Sequence, residues 1–314
     1  MIPLSYLGFI LKRKTLITIL SIAVVATVVI GVFLWNFIQQ IEKTVVGYVA
    51  IVRLSGTISY SSGLFGGAAV TPSDFKYYVD RIVSDPAAKA VVFVINSPGG
   101  SAAASEEMYQ LMEKLAESKI VVVYASETLA SGGYYISLPA HRIIASPHAL
   151  VGSIGAIMMV YNINELLDKL GINVTIIKSG EFKDIGSAIR APSNEEIGLL
   201  KDIIDKTAKI FIDRVKKHRV VDNDVFTAKI YIGIDAIDVG LVDGIGTLDD
   251  AIKIARELAN MPHYAPVVEI EKPAGLLELL FGRGSQLNKI IDIPGNMMPN
   301  EFANKILYLW MPGS

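Results

Sequence analysis

The chain has 314 residues, 52% hydrophobic and 19% charged, with 29 basic against 31 acidic residues for a formal net charge of −2. This is more apolar than an ordinary soluble domain, which predicts that part of the chain meets lipid, and the lack of basic runs interleaved with aromatics excludes nucleic acid as a partner. Cysteine is absent and the four histidines, His141, His148, His218 and His263, fall in no metal-ligand spacing, so disulfides and thiol nucleophiles are excluded and no metal or other cofactor is expected.

The first element is an uncharged stretch from Thr15 to Ile38. As a helix it reaches about 36 Å, enough for a hydrocarbon core of about 30 Å. The run is longer than the apolar core of a cleavable signal peptide. It ends in Trp35, Asn36, Phe37 and Ile38 with no small-residue cleavage site, which favours an uncleaved anchor. Lys12, Arg13 and Lys14 precede it, so residues 1–14 are expected in the cytoplasm, 15–38 across the membrane, and 39–44 as a tether to an extracytoplasmic body at the cell membrane.

The body is expected over 45–261. Val45 to Arg53 reads as a strand, Ser61 to Gly67 as a loop, and Ser73 as the cap of a helix reaching about Ser84. Ala90–Ile95 and Ile120–Tyr124 are continuous apolar runs, as in strands buried on both faces, with a helix from about Ala102 to Glu117 between them. Short strands are expected at Arg142–Ala145 and Val174–Lys178, flanking a helix near Asn164–Leu170. Ser193 caps a long helix ending near Arg219, and a last helix covers Asp249–Leu258. Alternating strands and helices predict an α/β domain with parallel strands. The tail, 262–314, is broken by prolines. Its two apolar pieces, 276–281 and 306–310, are too short to span a bilayer and are expected to pack on the body or cover a groove, with contact at the membrane surface as the alternative.

Three segments carry chemistry, and each follows a predicted strand. In LASGGYY, a small residue before Ser131 and two glycines after it permit a tight strand-to-helix turn. A serine there is either an activated nucleophile beside helix N–H groups or simply an N-cap. In NSPGG, Asn96–Gly100, glycines expose backbone N–H groups at the carboxyl edge of the sheet, where α/β proteins place ligands. The Gly100 amide, with that of Gly132, suits an oxyanion hole; an ordinary strand–helix turn is the alternative. In KSGEFKDIGS, Lys178 and Lys183 lie in a segment with few other charges. A lysine acts as a base only when neutral, so its ordinary pKa of about 10.4 must fall by several units through desolvation. Glu181 and Asp184 oppose that shift if they point inward.

The order NSPGG, ASGGYY, SGEFKDIGS over roughly 45–260, behind an N-terminal anchor, resembles signal peptide peptidase A, a serine peptidase family of the Clp-protease/crotonase superfold. The resemblance implies stacked βαβ-type repeats, Ser131 as nucleophile, Lys183 as general base, Ser153 of LVGSIGA as the serine that orients the base, and Gly100 with Gly132 as oxyanion donors. It leaves Lys178 structural. It also implies a homo-oligomeric ring, an octamer in the short single-domain form, with each dyad assembled across a subunit boundary. Its substrates are signal peptides left in the membrane and other apolar or unfolded peptides. No histidine stands where the related Clp protease keeps its base, about 25 residues after the serine. A crotonase-type acyl-CoA enzyme and a non-catalytic membrane scaffold are the competing readings of the same superfold.

Overall fold

The computed structural model describes residues 24–35, 46–61, 69–272 and 307–309. Residues 24–35 form helix α1, whose apolar side chains are exposed along its length. Among the described residues no helix is long and apolar enough to cross a membrane. The remainder of the expected anchor, 15–23 and 36–38, lies outside them, as do 1–14, the tether 39–44 and the apolar piece 276–281.

In chain order the body runs β1 (Tyr48–Ser55), β2 (Thr57–Ile58), β3 (Ala69–Val70), α2 (Pro72–Ser84), β4 (Ala88–Ser97), β5 (Gly99–Ser101), α3 (Ala102–Ala116), β6 (Ile120–Ala130), α4 (Gly132–Ser137), β7 (Arg142–Ala145) and β8 (Leu150–Gly152). It continues with α5 (Asn164–Lys169), α6 (Asn194–His218), β9 (Ile230–Ile232), α7 (Gly233–Ala236), β10 (Gly244–Ile245), α8 (Leu248–Leu258), β11 (Val267–Glu269) and β12 (Leu307–Leu309). The main sheet is ordered β10-β7-β6-β4-β1-β11 with every neighbouring pair parallel. The long strand β6 changes partner along its length: Val122–Ala125 pairs with β7 and Thr128–Ala130 with β8. A smaller sheet, β12-β5-β2-β3, stands beside it.

The predicted apolar runs are buried because both faces of the sheet are covered. Val91, Phe93 and Ile95 of β4 and Val121 and Val123 of β6 face α2, α3 and α4, packing with Phe75, Met108, Met112 and Tyr135. The alternate residues, Val92, Val94 and Val122, face Ala251, Ile252 and Ala255 of α8. Phe93 sits at the centre, fully buried and 5.4 Å from the ring of Phe75. Phe93→Ala is expected to lower stability by about 3–5 kcal/mol through lost burial and a residual cavity, read as a drop in the urea midpoint at constant slope.

Two local expectations are corrected. The first long helix of the body is capped by Thr71, whose hydroxyl accepts from the Asp74 N–H at 3.1 Å. Pro72 occupies the first turn and Ser73 lies inside it. Residues 174–178 form no strand: the β-branched run VTII lies off the sheet with its side chains exposed, Ile177 at 96%. Apolar β-branched residues favour an extended chain but need a neighbouring edge to become a strand. Ser193 does cap α6 as expected, in a reciprocal capping box with Glu196. From the 262–314 segment, β11 pairs with β1, and β12, inside the apolar piece 306–310, pairs with β5.

Candidate active site

The carboxyl ends of β4 and β6 lie side by side, with Ser97 opposite Leu129. The NSPGG and ASGG turns therefore start from one edge. They approach closely: a Cβ on Gly133 would stand 2.8 Å from the Ser97 carbonyl oxygen. Gly100, at φ 156°, lies between β2 and β12, and a Cβ there would stand 2.0 Å from the Ile58 carbonyl oxygen. Only glycine fits at that position.

Ser131 is the residue between β6 and α4. It is 1% exposed and has φ 51° and ψ −118°, outside the usual regions for a residue with a side chain. Such a conformation costs on the order of 1–3 kcal/mol and persists only where the surroundings impose it. Here the Ser131 N–H donates to the Gly152 carbonyl at 2.8 Å, and its carbonyl accepts from the Tyr135 N–H at 2.8 Å. The hydroxyl does not cap α4, which removes the N-cap explanation for this serine. The Gly132 N–H, in the first turn, has no acceptor within the helix.

Ala130 pairs with Gly152, so Ser131 and Ser153 each stand one residue beyond the last pair of two parallel strands. Ser153 also has positive φ, 55°, and its N–H donates to the Lys229 carbonyl at 2.8 Å. Two strained serines thus share one strand edge. Behind them a half-buried network holds α4. The Tyr135 hydroxyl donates to Glu106 of α3, which also accepts from Arg214 of α6 at 2.7 Å, and the Tyr135 ring packs 4.9 Å from Phe211. The Tyr134 hydroxyl donates to the Leu241 carbonyl at 2.8 Å, and full burial pushes its phenol above its ordinary range, so it remains a neutral donor.

Among the histidines, the His141 ring accepts from the Val121 N–H at the start of β6, so roughly 30 Å of strand separates it from Ser131. His218 is engaged by the Tyr109 hydroxyl at 2.7 Å, and burial lowers the pKa of both rings. Among the described residues no group of three or more His, Asp or Glu side chains is placed to hold a metal ion.

Lys183 lies in a turn over 179–186, its side chain exposed and its N–H donating to the Gly180 carbonyl at 3.2 Å. Within one chain no hydrogen bond joins it to the buried Ser131. Lys178 is committed elsewhere, donating to the Glu181 carbonyl at 2.6 Å and to Asp184 at 2.7 Å. The structure gives the expected packing of the apolar piece 306–310 a specific form. Strand β12 runs antiparallel to Gly99–Ser101 on one side, and on the other Leu307 exchanges two 3.0 Å backbone hydrogen bonds with Ile157, four residues after Ser153. It lies against α4, and Leu307 is fully buried. Nothing in the residues around Ile157 announces a strand edge, because the edge exists only where another segment pairs with it.

The model of peptidase family S49 matches residues 113–262. A protein of Methanocaldococcus jannaschii that carries a protease name is 41% identical over 225 residues, 69% of this chain and 72% of that protein. The chain belongs to peptidase family S49. It is a serine peptidase of the signal peptide peptidase A group. The chloroplastic serine protease SPPA of Arabidopsis thaliana is 32% identical over 249 residues, covering 76% of this chain but only 37% of the plant protein. Among solved structures, a mutant of the 1510-N membrane-bound stomatin-specific protease aligns with a TM-score of 0.43 at 16% identity, over 72% of this chain and 99% of that one. Family membership decides for a peptidase over the acyl-CoA enzyme and the scaffold.

Proposed function

We propose that this serine peptidase is a membrane-bound endopeptidase in which Ser131 is the nucleophile and Lys183, from a neighbouring copy, the general base. The observation that carries the reading is Ser131 itself: buried, conformationally strained and turned away from capping its own helix. Neutral Lys183 takes the hydroxyl proton as Ser131 Oγ attacks the peptide carbonyl. The Gly100 and Gly132 amides stabilise the oxyanion. Lys183 then protonates the leaving amine and helps water to cleave the acyl ester. Ser153, on the adjoining strand end, orients the amine. A stacked-repeat superfold, a ring of copies (eight in the short form) and an anchor through residues 15–38 complete the reading. The body then lies at the outer face of the cell membrane, where signal peptide remnants and other apolar or unfolded peptides are the substrates.

A fluorophosphonate tests the assignment. It is expected to label Ser131 in the wild-type protein, to label Ser131→Ala not at all, and to react far more slowly with Lys183→Ala. Rapid labelling of Lys183→Ala overturns the base.

The pairing of β12 supports extended substrates. A strand held by backbone hydrogen bonds on both sides is bound by its main chain, and its alternate side chains meet pockets. Its place between Gly99–Ser101 and Ile157 supports the view that β12 occupies the substrate's own slot. Removing residues 300–314 is then expected to lower the apparent KM for apolar peptides by about tenfold with kcat unchanged, as when a competing closed state is abolished. An unchanged KM makes β12 a structural strand instead.

A further inference from the structure

Arg190 joins the turn that carries Lys183 to the start of α6. Its Nε donates to Asp184 Oδ2 at 2.6 Å, and its terminal nitrogens bind both oxygens of Glu196, one at 2.8 Å. The other Asp184 oxygen, Oδ1, accepts from Lys178 at 2.7 Å. Glu196 is itself fixed, being 3% exposed and accepting from the Ser193 N–H at 2.8 Å in the capping box. The planar guanidinium is suited to spanning two carboxylates in this way, whereas a lysine ammonium is not.

We propose that Arg190, assisted by Lys178, is a positioning residue for the general base: it draws the Asp184 carboxylate away from Lys183 and fastens the 179–186 turn to α6. The proposal rests on Lys183 being that base. Asp184 is its immediate neighbour in the chain, and an uncommitted carboxylate beside a lysine favours the ammonium form that cannot accept a proton. Both oxygens of Asp184 are instead taken by cations. Hydrogen bonds from Arg190 and then Lys178 hold its carboxyl well below the usual carboxylate range, so its charge is present and already paired at any working pH. The groups facing Asp184 are Lys178 and Arg190, with Glu196 beyond the guanidinium and Glu181 contributing only a backbone carbonyl. In a segment where most side chains are exposed, Asp184 and Glu196 keep only 13% and 4% of theirs in solvent. The carboxylates are covered by their own partners, while Arg190 and Lys178 keep 29% and 33% of their side chains in solvent.

The test is a set of pH–rate profiles for hydrolysis of an apolar peptide by the full-length enzyme. Arg190→Gln is expected to move the half-maximal pH upward by about one unit, hence about tenfold slower turnover at neutral pH, with KM little changed. Adding Asp184→Asn to Arg190→Gln removes the released carboxylate and is expected to return the profile to its wild-type position. Arg190→Lys, which keeps the charge but not the fork, falls between. Lys178→Met removes the more exposed partner, shifts the profile in the same direction by less, and decides the matter if Arg190→Gln does not fold. Wild-type profiles for Arg190→Gln or, where that variant does not fold, for Lys178→Met overturn the proposal, and so does a double variant as impaired as Arg190→Gln. An active Lys183→Ala refutes the dyad itself, whereas an inactive Lys183→Ala beside an unshifted Arg190→Gln refutes only the clamp.

Discussion

Ser131→Ala and Lys183→Ala are each expected to lower kcat for an apolar peptide by about 10⁴-fold, with KM nearly unchanged, because in the proposed dyad each removes a partner of one proton-transfer and bond-forming unit. Co-expressing the two inactive chains is expected to restore activity. In one chain Ser131 is buried, while Lys183 is exposed on a segment that also displays Leu166, Leu170, Ile172 and Ile177 to solvent. Such an apolar arm is unfavourable in water and gains by packing on a second copy. If each dyad forms across a boundary, a serine from the Lys183→Ala chain meets a lysine from the Ser131→Ala chain. With random mixing about a quarter of the boundaries are then competent. Recovery near that fraction in mixed assemblies supports the shared site. Mixed assemblies that stay inactive place both partners in the same chain and require the 157–190 segment to fold back.

How far the sequence disclosed this arrangement depended on how local each cause was. The strands over 90–95 and 120–124 were legible because burial on both faces leaves an uninterrupted apolar run. The helix after Ser193 was legible because its cap, acidic first turn and basic last turn are encoded within one segment. The second half of β6 was hidden by Ser126 and Glu127. Glu127 faces outward to accept from the Asn96 amide at 2.6 Å, so the strand continues to Ala130 without an apolar signature. The run 174–178 misled for the converse reason, since its residues favour a strand but no edge of the same chain receives them. At the site, Ser131 and the glycines around it were legible as a tight turn. The family resemblance alone assigned Ser153 to the site, and its place beside Ser131 rests on the pairing of Ala130 with Gly152, a long-range fact. The Arg190 ion pairs and the partners of β12 depend likewise on segments that meet in space: the apolar run 306–310 marked that this piece would pack or cover a groove, not which edge it would join.

Gly100→Ala is expected to lower kcat by about 10²–10³-fold, the loss typical of one misplaced oxyanion donor. The new methyl group meets the Ile58 carbonyl oxygen at 2.0 Å and the Ile58 nitrogen at 2.7 Å, both backbone atoms that no side-chain rotation can clear. Strand β5 must therefore move away from β2, carrying the residue 100 amide with it. Because β5 is also the surface on which β12 is laid, the same displacement is expected to raise KM for extended peptides. Overpacking of this kind costs about 1–3 kcal/mol, so the variant should remain folded with a lowered Tm. That separates it from Ser131→Ala, which removes the proposed nucleophile and is expected to leave the strands in place. Fluorophosphonate labelling distinguishes the two further, since Gly100→Ala keeps the hydroxyl and should label slowly rather than not at all. A folded Gly100→Ala enzyme with wild-type kcat would mean that the oxyanion is held by other amides, leaving the glycine to serve only the close approach of β5 to β2.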